Sequence, residues 1–277
     1  MGFITKRIII AAVIIICAVC YGVFSTPSGI PVLNYHQIND RDENALTIAP
    51  EQFAAQMDWL KEKGYHTLTQ AEFLDAMENG KSLPEKSILI TFDDGYLDNY
   101  KHAYGILKER DMKATIFIIS DFVGLYPNYL KWNQILEMQE NGIEFGSHTL
   151  NHTPLTQCAS MGEVNNQLTQ SKAALEWRLG REMKLLAYPC GFQTQEIQDA
   201  TKAAGYHAAF TVSLGYDHVG DNMYELHRVP IFGANDHTLL RFKARLTVPR
   251  LAAALENFQN DLAKDGHVTL ANLVPVI

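Results

Sequence analysis

Two periodicities alternate along the 277-residue chain. Short apolar runs that stop at Gly, Pro, Asp or Asn mark buried strands, and apolar residues recurring every three or four positions mark amphipathic helices. Strands are expected at residues 31–36, 65–68, 87–92, 113–120, 143–146, 184–188, 207–212 and 228–232. Helices are expected between them at 50–63, 70–78, 98–110, 129–139, 161–179 and 195–204. In 50–63, Phe53, Met57 and Leu60 share one face, and Asn79-Gly80 closes the next helix. Strands separated by helical stretches imply βαβ units and a parallel sheet. A sheet of this size favours a closed, irregular (β/α) barrel over an open one. No GxGxxG or GxxxxGK[ST] follows a strand, which weakens nucleotide-fold readings. The tail from Asp236 is ambiguous, with a helical pattern at 251–262 and an apolar end at 268–277.

Residues 8–24 form an uncharged apolar run behind Lys6 and Arg7. The run exceeds the ~7–15 residues of a signal-peptide core and meets the lower limit of ~17 for a spanning helix. The positive flank keeps the N-terminus cytoplasmic and sends the remainder across the membrane. The expectation is an uncleaved anchor, with a cleaved secretion signal as the alternative. Domain organisation follows: a signal or anchor segment with linker at 1–29, then one domain at 30–277.

Composition narrows the partners. The net charge is −8, with no basic stripe to meet phosphates, so nucleic acid is not expected as a partner. Hydrophobic residues make up 47% of the chain, enough for one large core. Of the four cysteines, Cys17 and Cys20 fall in the N-terminal run, and Cys158 and Cys190 lie in different segments. That spacing argues against a disulfide framework or a CxxC metal site.

Candidate chemistry collects at three strand ends. The run Ile88-Leu89-Ile90-Thr91-Phe92 stops at Asp93-Asp94-Gly95. Adjacent carboxylates repel unless a cation lies between them or one is protonated. The run 143–146 stops before His148 and His152, four apart, a spacing that a helical turn or tight loop can aim at one point. Two imidazoles and one carboxylate form an open ligand set for zinc or a similar ion, with positions left for water and substrate. The run 184–188 stops at Pro189-Cys190-Gly191, where the Cys190 N–H could hold an oxyanion. Each feature alone is compatible with an ordinary strand-ending turn. Together they share the C-terminal face of the expected barrel, where barrel active sites lie.

Thr91-Phe92-Asp93-Asp94-Gly95, Ser147-His148-Thr149-Leu150-Asn151-His152 and Tyr188-Pro189-Cys190-Gly191 resemble the first three motifs of the polysaccharide deacetylase family (carbohydrate esterase family 4, NodB homology). Val32-Leu33-Asn34-Tyr35-His36 and residues 52–65 resemble the branch that deacetylates poly-N-acetylglucosamine. The resemblance spans roughly 30–235. It implies a distorted (β/α) barrel of seven to eight parallel strands. It also implies a metal-dependent hydrolase of N-acetyl groups, with zinc, cobalt, nickel or manganese as the cofactor. By the same likeness Asp94, His148 and His152 bind the metal, Asp93 is the general base, and the Cys190 N–H helps hold the oxyanion.

The match thins at the general acid. Many relatives carry an Arg in the third motif, where this chain has Ala187. The Asp-rich fourth motif is not recognisable around 214–221, and the nearest match to the Leu-x-His of the fifth is Leu226-His227-Arg228, whose spacing differs by one. Strand alternation allows only one of His227 and Arg228 to reach the site, His227 as acid or Arg228 as a charge partner for Asp93. Asp93 could also return its own proton to the leaving amine. Tyr35, His36, Trp132 and Tyr188 are candidates to contact a hexosamine ring. The expected substrate is an N-acetylglucosamine-containing polysaccharide outside the cytoplasm, with peptidoglycan, chitin or acetyl-xylan as enzymatic alternatives. A carbohydrate-binding pseudo-enzyme is the alternative from another class. A phosphoesterase is disfavoured, because no Arg or Lys near the motifs is placed to grip phosphate.

Overall fold

The computed structural model describes residues 29–42, 44–231 and 239–248, with single positions at 255, 258, 261 and 264. The apolar run at 8–24 therefore lies outside the described residues, as does most of 251–277. Among the described residues no helix is long and apolar enough to cross a membrane. The chain divides into two compact units, residues 29–239 and residues 1–28 with 240–277. The described part of residues 240–277 belongs mainly to one helix, Leu239–Thr247, whose first residue is the last of the larger unit.

In chain order the first unit runs β1 (Val32–Tyr35), β2 (Gln37–Ile38), β3 (Thr47–Ile48), α1 (Pro50–Glu62), β4 (His66–Thr67), α2 (Gln70–Asn79) and β5 (Ser87–Phe92). It continues with α3 (Tyr104–Glu109), β6 (Ala114–Ile118), α4 (Trp132–Glu140), β7 (Ile143–Ser147), α5 (Met161–Leu179), β8 (Leu185–Ala187), α6 (Gln195–Ala203), β9 (Ala208–Leu214) and β10 (Leu226–Pro230). The strands hydrogen-bond in the order β1-β10-β9-β8-β7-β6-β5, and β5 pairs back onto β1. Every one of these pairings is parallel, so seven strands close into the expected barrel. β4 adds to β5 outside the ring. Buried on both faces, β5 and β6 read as continuous apolar runs rather than alternating ones.

Helix α2 packs one face into the apolar core of the barrel. Its start is fixed by a reciprocal cap in which Thr69 accepts from the Glu72 N–H and the Glu72 carboxylate accepts from the Thr69 N–H. Phe73, Leu74 and Met77 then join Val32, Leu89, Phe117, Leu185, Ala208 and Phe210 in one buried cluster. Toward the strand C-termini the interior turns polar, with buried Asn34, Thr91, Asp93 and Arg228. The apolar half supplies stability and leaves the polar half to chemistry.

Three local readings are corrected. The expected helix at 98–110 opens with a π turn, Asn99–Ala103, because the buried Asn99 amide is drawn to the His36 carbonyl at 2.8 Å. The helix expected from 129 begins at Trp132, since Leu130 first donates to the Gly95 carbonyl at 3.0 Å. The last strand begins at Leu226 rather than 228, with a register shift against β9 between Leu226 and Arg228. The two-residue pair β2–β3 is too short to leave a periodic signal.

Candidate active site

At the end of β5 simple alternation would part Asp93 from Asp94. Asp94 and Gly95 instead take left-handed backbone angles, φ 72° and 74°, which turn the chain at once. Glycine suits position 95 because φ there is 74°, and a Cβ would also press on Ile118 Cδ1 at 2.7 Å. Both carboxylates are buried, Asp93 at 2% exposure and Asp94 at 6%.

His148 follows β7 directly, and His152 lies on the loop beyond it. The loop is not a helical turn: Thr149 and His152 both have φ of 66°. Gln167 on α5 anchors it by accepting from the N–H groups of Leu150 and Asn151 at 3.2 and 3.3 Å. Ser120 and Asp121 donate from β6's exit to the carbonyls of Thr149 and Leu150. Left-handed non-glycine residues concentrate here, at Asp94, Thr149, His152 and Cys190. Such conformations persist only where surrounding contacts hold them.

One ligand atom each from Asp94, His148 and His152 lies within 4.8 Å of the other two. Asp94 Oδ1 is buried and has no donor in hydrogen-bond geometry. Yet the Nε2 atoms of His148 and His152 each stand 3.3 Å from it. His148 Nδ1 is 2.8 Å from the Ala187 carbonyl, so that nitrogen carries a proton and Nε2 is the atom that faces Asp94. A cation among the three atoms would satisfy all of them, and the set fits a divalent metal with open positions. Burial lowers the His148 basicity, but the Asp93 and Asp94 carboxylates outweigh it and hold this imidazole above its ordinary value. Burial and the neighbouring His148 hold His152 below the usual imidazole range.

Asp93 is gripped from β10. Arg228 Nη1 donates to Oδ1 and Nη2 to Oδ2, each at 2.7 Å. Asn34 Nδ2 donates to Oδ2 at 3.0 Å. Arg228 is itself fully buried, with Nε on the Thr211 carbonyl at 2.7 Å and its plane 5.8 Å from the Phe117 ring. Burial pushes the Asp93 carboxyl upward, but the Arg228 charge, with His148 and the hydrogen bonds, holds it well below the usual carboxylate range.

Pro189 and Gly191 bound a tight turn at the end of β8, with Cys190 between them at φ 58°. The Cys190 side chain is exposed and forms no disulfide. Ala187 contributes its carbonyl, already engaged by His148.

The remaining expected residues divide. Arg228 reaches Asp93, and His227, on the opposite side of β10, does not: its Nδ1 meets Asp217 Oδ1 at 3.2 Å. His36 reaches the site, with Nε2 3.9 Å from Asp93 Oδ2. The structure takes Tyr35 and Tyr188 away from any sugar surface, since both are fully buried. The Tyr35 hydroxyl donates to Gln56 Oε1 at 2.6 Å, and the Tyr188 hydroxyl to the Tyr224 carbonyl at 3.1 Å. Trp132, half-buried at the start of α4, lies under the Arg178 guanidinium at 5.2 Å.

Comparison with known proteins decides the family. Residues 80–209 match the family model described as Polysaccharide deacetylase. YxkH of Bacillus subtilis (strain 168), whose name places it among the polysaccharide deacetylases, is 36% identical over 205 residues, 74% of this chain and 72% of YxkH. The chain belongs to the polysaccharide deacetylase family. A poly-beta-1,6-N-acetyl-D-glucosamine N-deacetylase of Staphylococcus aureus (strain N315) is 28% identical over 238 residues, 76% of this chain and 81% of that protein. Among solved structures, the Streptococcus pyogenes deacetylase PplD in complex with acetate superposes with a TM-score of 0.74 at 28% identity, covering 80% of this chain and 99% of PplD. IcaB from Ammonifex degensii gives 0.71 at 27% identity, covering 82% and 98%.

Within this deacetylase fold, two contributors escape a sequence reading. Asn34 reads as an ordinary position in an apolar strand, and its one signal is that an amide stands in a buried run. Gln167 reads as a polar position on a long helix, and only its burial at 3% exposure reveals that it serves the ligand loop.

Proposed function

We propose that this polysaccharide deacetylase is a metal-dependent hydrolase that removes N-acetyl groups from an N-acetylglucosamine-containing polysaccharide of the poly-N-acetylglucosamine type. The observation that carries the reading is the Asp93 carboxylate, held ionised and oriented by Arg228 beside the Asp94-His148-His152 set. Its likeness to the Staphylococcus aureus N-deacetylase points to the polymer.

Asp94, His148 and His152 would hold the divalent metal, zinc or a neighbouring transition ion. Bound there, such an ion lowers the pKa of water from ~16 toward ~7 and polarises a carbonyl. Asp93 accepts the proton of the attacking water as general base. Its two oxygens are fixed by Arg228 and Asn34, so the accepting lone pairs point one way. Arg228 keeps Asp93 ionised and cannot itself surrender a proton. The Cys190 N–H, carried on the turn after Pro189, donates to the developing oxyanion. The departing amine needs a proton. With His227 turned toward Asp217, the groups at hand are protonated Asp93 and the His36 imidazole beside it.

The proposal keeps residues 1–29 as a signal or anchor segment and 30–277 as the deacetylase domain. The protein then works outside the cytoplasm, tethered through residues 8–24 or released after cleavage. Acetate release decides the function. Purified protein is incubated with β-1,6-linked N-acetylglucosamine oligomers, chitin oligomers, peptidoglycan and acetyl-xylan, with zinc and with chelator. Chelator-sensitive release, highest on the β-1,6 oligomers, is expected. Release on another polymer alone would move the substrate, and glycan binding without release would make the protein a pseudo-enzyme.

A further inference from the structure

The imidazole beside Asp93 stands on the first residue past a strand. β1 ends at Tyr35, whose carbonyl accepts from the Asp93 N–H at 2.9 Å. His36 follows, with its ring nitrogen Nε2 3.9 Å from Asp93 Oδ2. Past β1 the barrel ladder no longer fixes the backbone. The His36 carbonyl accepts instead from a side chain, Asn99 Nδ2, at 2.8 Å.

Asn99 is itself held. It opens the π turn Asn99–Ala103, and its N–H donates to the Tyr96 carbonyl at 3.1 Å. Its Nδ2 also donates to Asp98 Oδ1 at 3.1 Å. From the opposite segment, Asn39 Nδ2 donates to Asp98 Oδ2 at 2.7 Å. Side-chain amides thus tie the segment 36–39 to the segment 96–99 in both directions. The second segment continues directly from the Asp93-Asp94-Gly95 turn. The backbone of His36 is therefore referenced to the acids from both sides, through Tyr35 and through Asn99.

The energetics separate position from stability. Asn99 is fully buried, and its Oδ1 has no hydrogen-bond partner among the described residues. An apolar side chain of the same shape would remove that unpaired acceptor and leave the His36 carbonyl unpaired in its place. One buried acceptor is unsatisfied either way, so the amide adds little net stability. What it adds is a definite place for the His36 backbone.

Resting on the deacetylase reading above, we infer that Asn99 is a positioning residue, which holds His36 so that its imidazole stays beside Asp93 during the reaction. It acts through His36 and not on the reacting atoms.

The test uses the zinc-loaded full chain with β-1,6-linked N-acetylglucosamine tetramer. Asn99→Leu keeps the side-chain shape and should leave the urea midpoint close to that of the wild type. Its acetate release should fall about tenfold, in the same parameter, kcat or KM, that His36→Gln lowers. In the His36→Gln background the same change should cost less than about twofold, because the imidazole it positions is gone. A loss that multiplies in full in the double variant overturns the inference, and so does full activity in Asn99→Leu. Should Asn99→Leu fail to fold, Asn99→Ser carries the same expectations, since its hydroxyl stops one bond short of the amide nitrogen. A second readout needs no turnover. In protein with isotope-labelled histidine, the His36 ring NMR signal, assigned by its absence from His36→Gln, should move in the Asn99 variant while those of His66, His207 and His227 stay. If no polymer frees acetate but this signal moves, the deacetylase reading fails and the positioning stands. If acetate is freed and the signal is unmoved, the positioning fails alone.

Discussion

Arg228 on β10 meets Asp93 after β5 through two parallel hydrogen bonds of 2.7 Å, with both side chains buried. The two are 135 residues apart, and closure of the barrel through β1 brings their strands to one interior. A buried pair of this kind is weak evidence of added stability, since desolvation offsets the attraction. Breaking it is another matter. Arg228→Met leaves a buried carboxylate without its partner and should destabilise the protein by about 3–5 kcal/mol. Urea unfolding at neutral pH measures this, and a loss under about 1 kcal/mol would mean that water reaches Asp93 and replaces the guanidinium. Arg228→Lys retains charge without the two-pronged geometry and should fold better than Arg228→Met while recovering little turnover.

The His36 ring beside Asp93 leads to a kinetic prediction. If His36 relays the proton to the leaving amine, His36→Gln should lower kcat by about 10²–10⁴-fold with KM nearly constant. Burial lowers the His36 basicity against the raising pull of Asp93. Loss confined to KM would make His36 a sugar contact instead. Steady-state acetate release against oligomer concentration separates the two.

Much of this was readable in the residues, and the failures have physical causes. Strand 87–92 and helix 161–179 match in full because each is bounded by strong punctuation, Asp-Asp-Gly for one and a Ser160 cap with Gly180 for the other. The convergence of Asp94, His148 and His152 was legible because their strand ends share one barrel face. Tyr35 and Tyr188 misled because an aromatic hydroxyl near a motif looks the same whether it faces sugar or, as here, a buried Gln56 or a carbonyl. Only packing distinguishes those cases. Asn34 stands inside a recognisable motif, but its role, like that of Gln167, is not legible there, since a buried amide finds its partner through contacts far along the chain. The choice between His227 and Arg228 needed the register of β10, which a local shift against β9 withholds from any pattern.

The half-buried His227 and fully buried Asp217 predict a pH dependence of stability away from the candidate metal set. The hydrogen bond to Asp217 raises the His227 imidazole above its ordinary value. Burial raises Asp217, and His227 only partly opposes this. Both folded values lie above the unfolded ones, so both contributions fall as pH rises. The His227 part is complete below its unfolded value of ~6.5 and is lost as pH climbs through the folded value. Urea midpoints should therefore decline from pH 6 to 9 more steeply in the wild type than in His227→Gln. Parallel curves would show that this pair does not report on folding.

Helix α2 offers a test of the fold itself. Phe73 is fully buried, and its ring centroid lies 5.6 Å from that of Phe210 inside the barrel. Phe73→Ala leaves a cavity that the closed strands cannot collapse around, so the expected loss is about 3–5 kcal/mol. The polar layer is built from other side chains, so the metal affinity of the folded fraction should change little. A urea titration with and without zinc reads both quantities.

The division of labour between the adjacent carboxylates is the sharpest prediction. An ion that binds only the folded chain stabilises it, by about 2.7 kcal/mol at a hundred times its dissociation constant. Zinc should therefore raise the melting temperature of the wild type. Asp93→Asn keeps the three ligand atoms and should keep the zinc-induced shift, although the Asn can no longer balance Arg228 and the apo protein should melt earlier. Its acetate release should fall by about 10²–10⁴-fold, the share of a general base. Asp94→Asn and His148→Ala remove ligand atoms, and both should abolish most of the zinc shift. In His148→Ala the Ala187 carbonyl loses its donor as well, which adds a modest destabilisation independent of metal. A zinc shift lost in Asp93→Asn and kept in Asp94→Asn would exchange the roles of the two acids. A shift kept in His148→Ala would place the ion elsewhere, because the geometry then offers it one imidazole and one carboxylate, too few for a firm site.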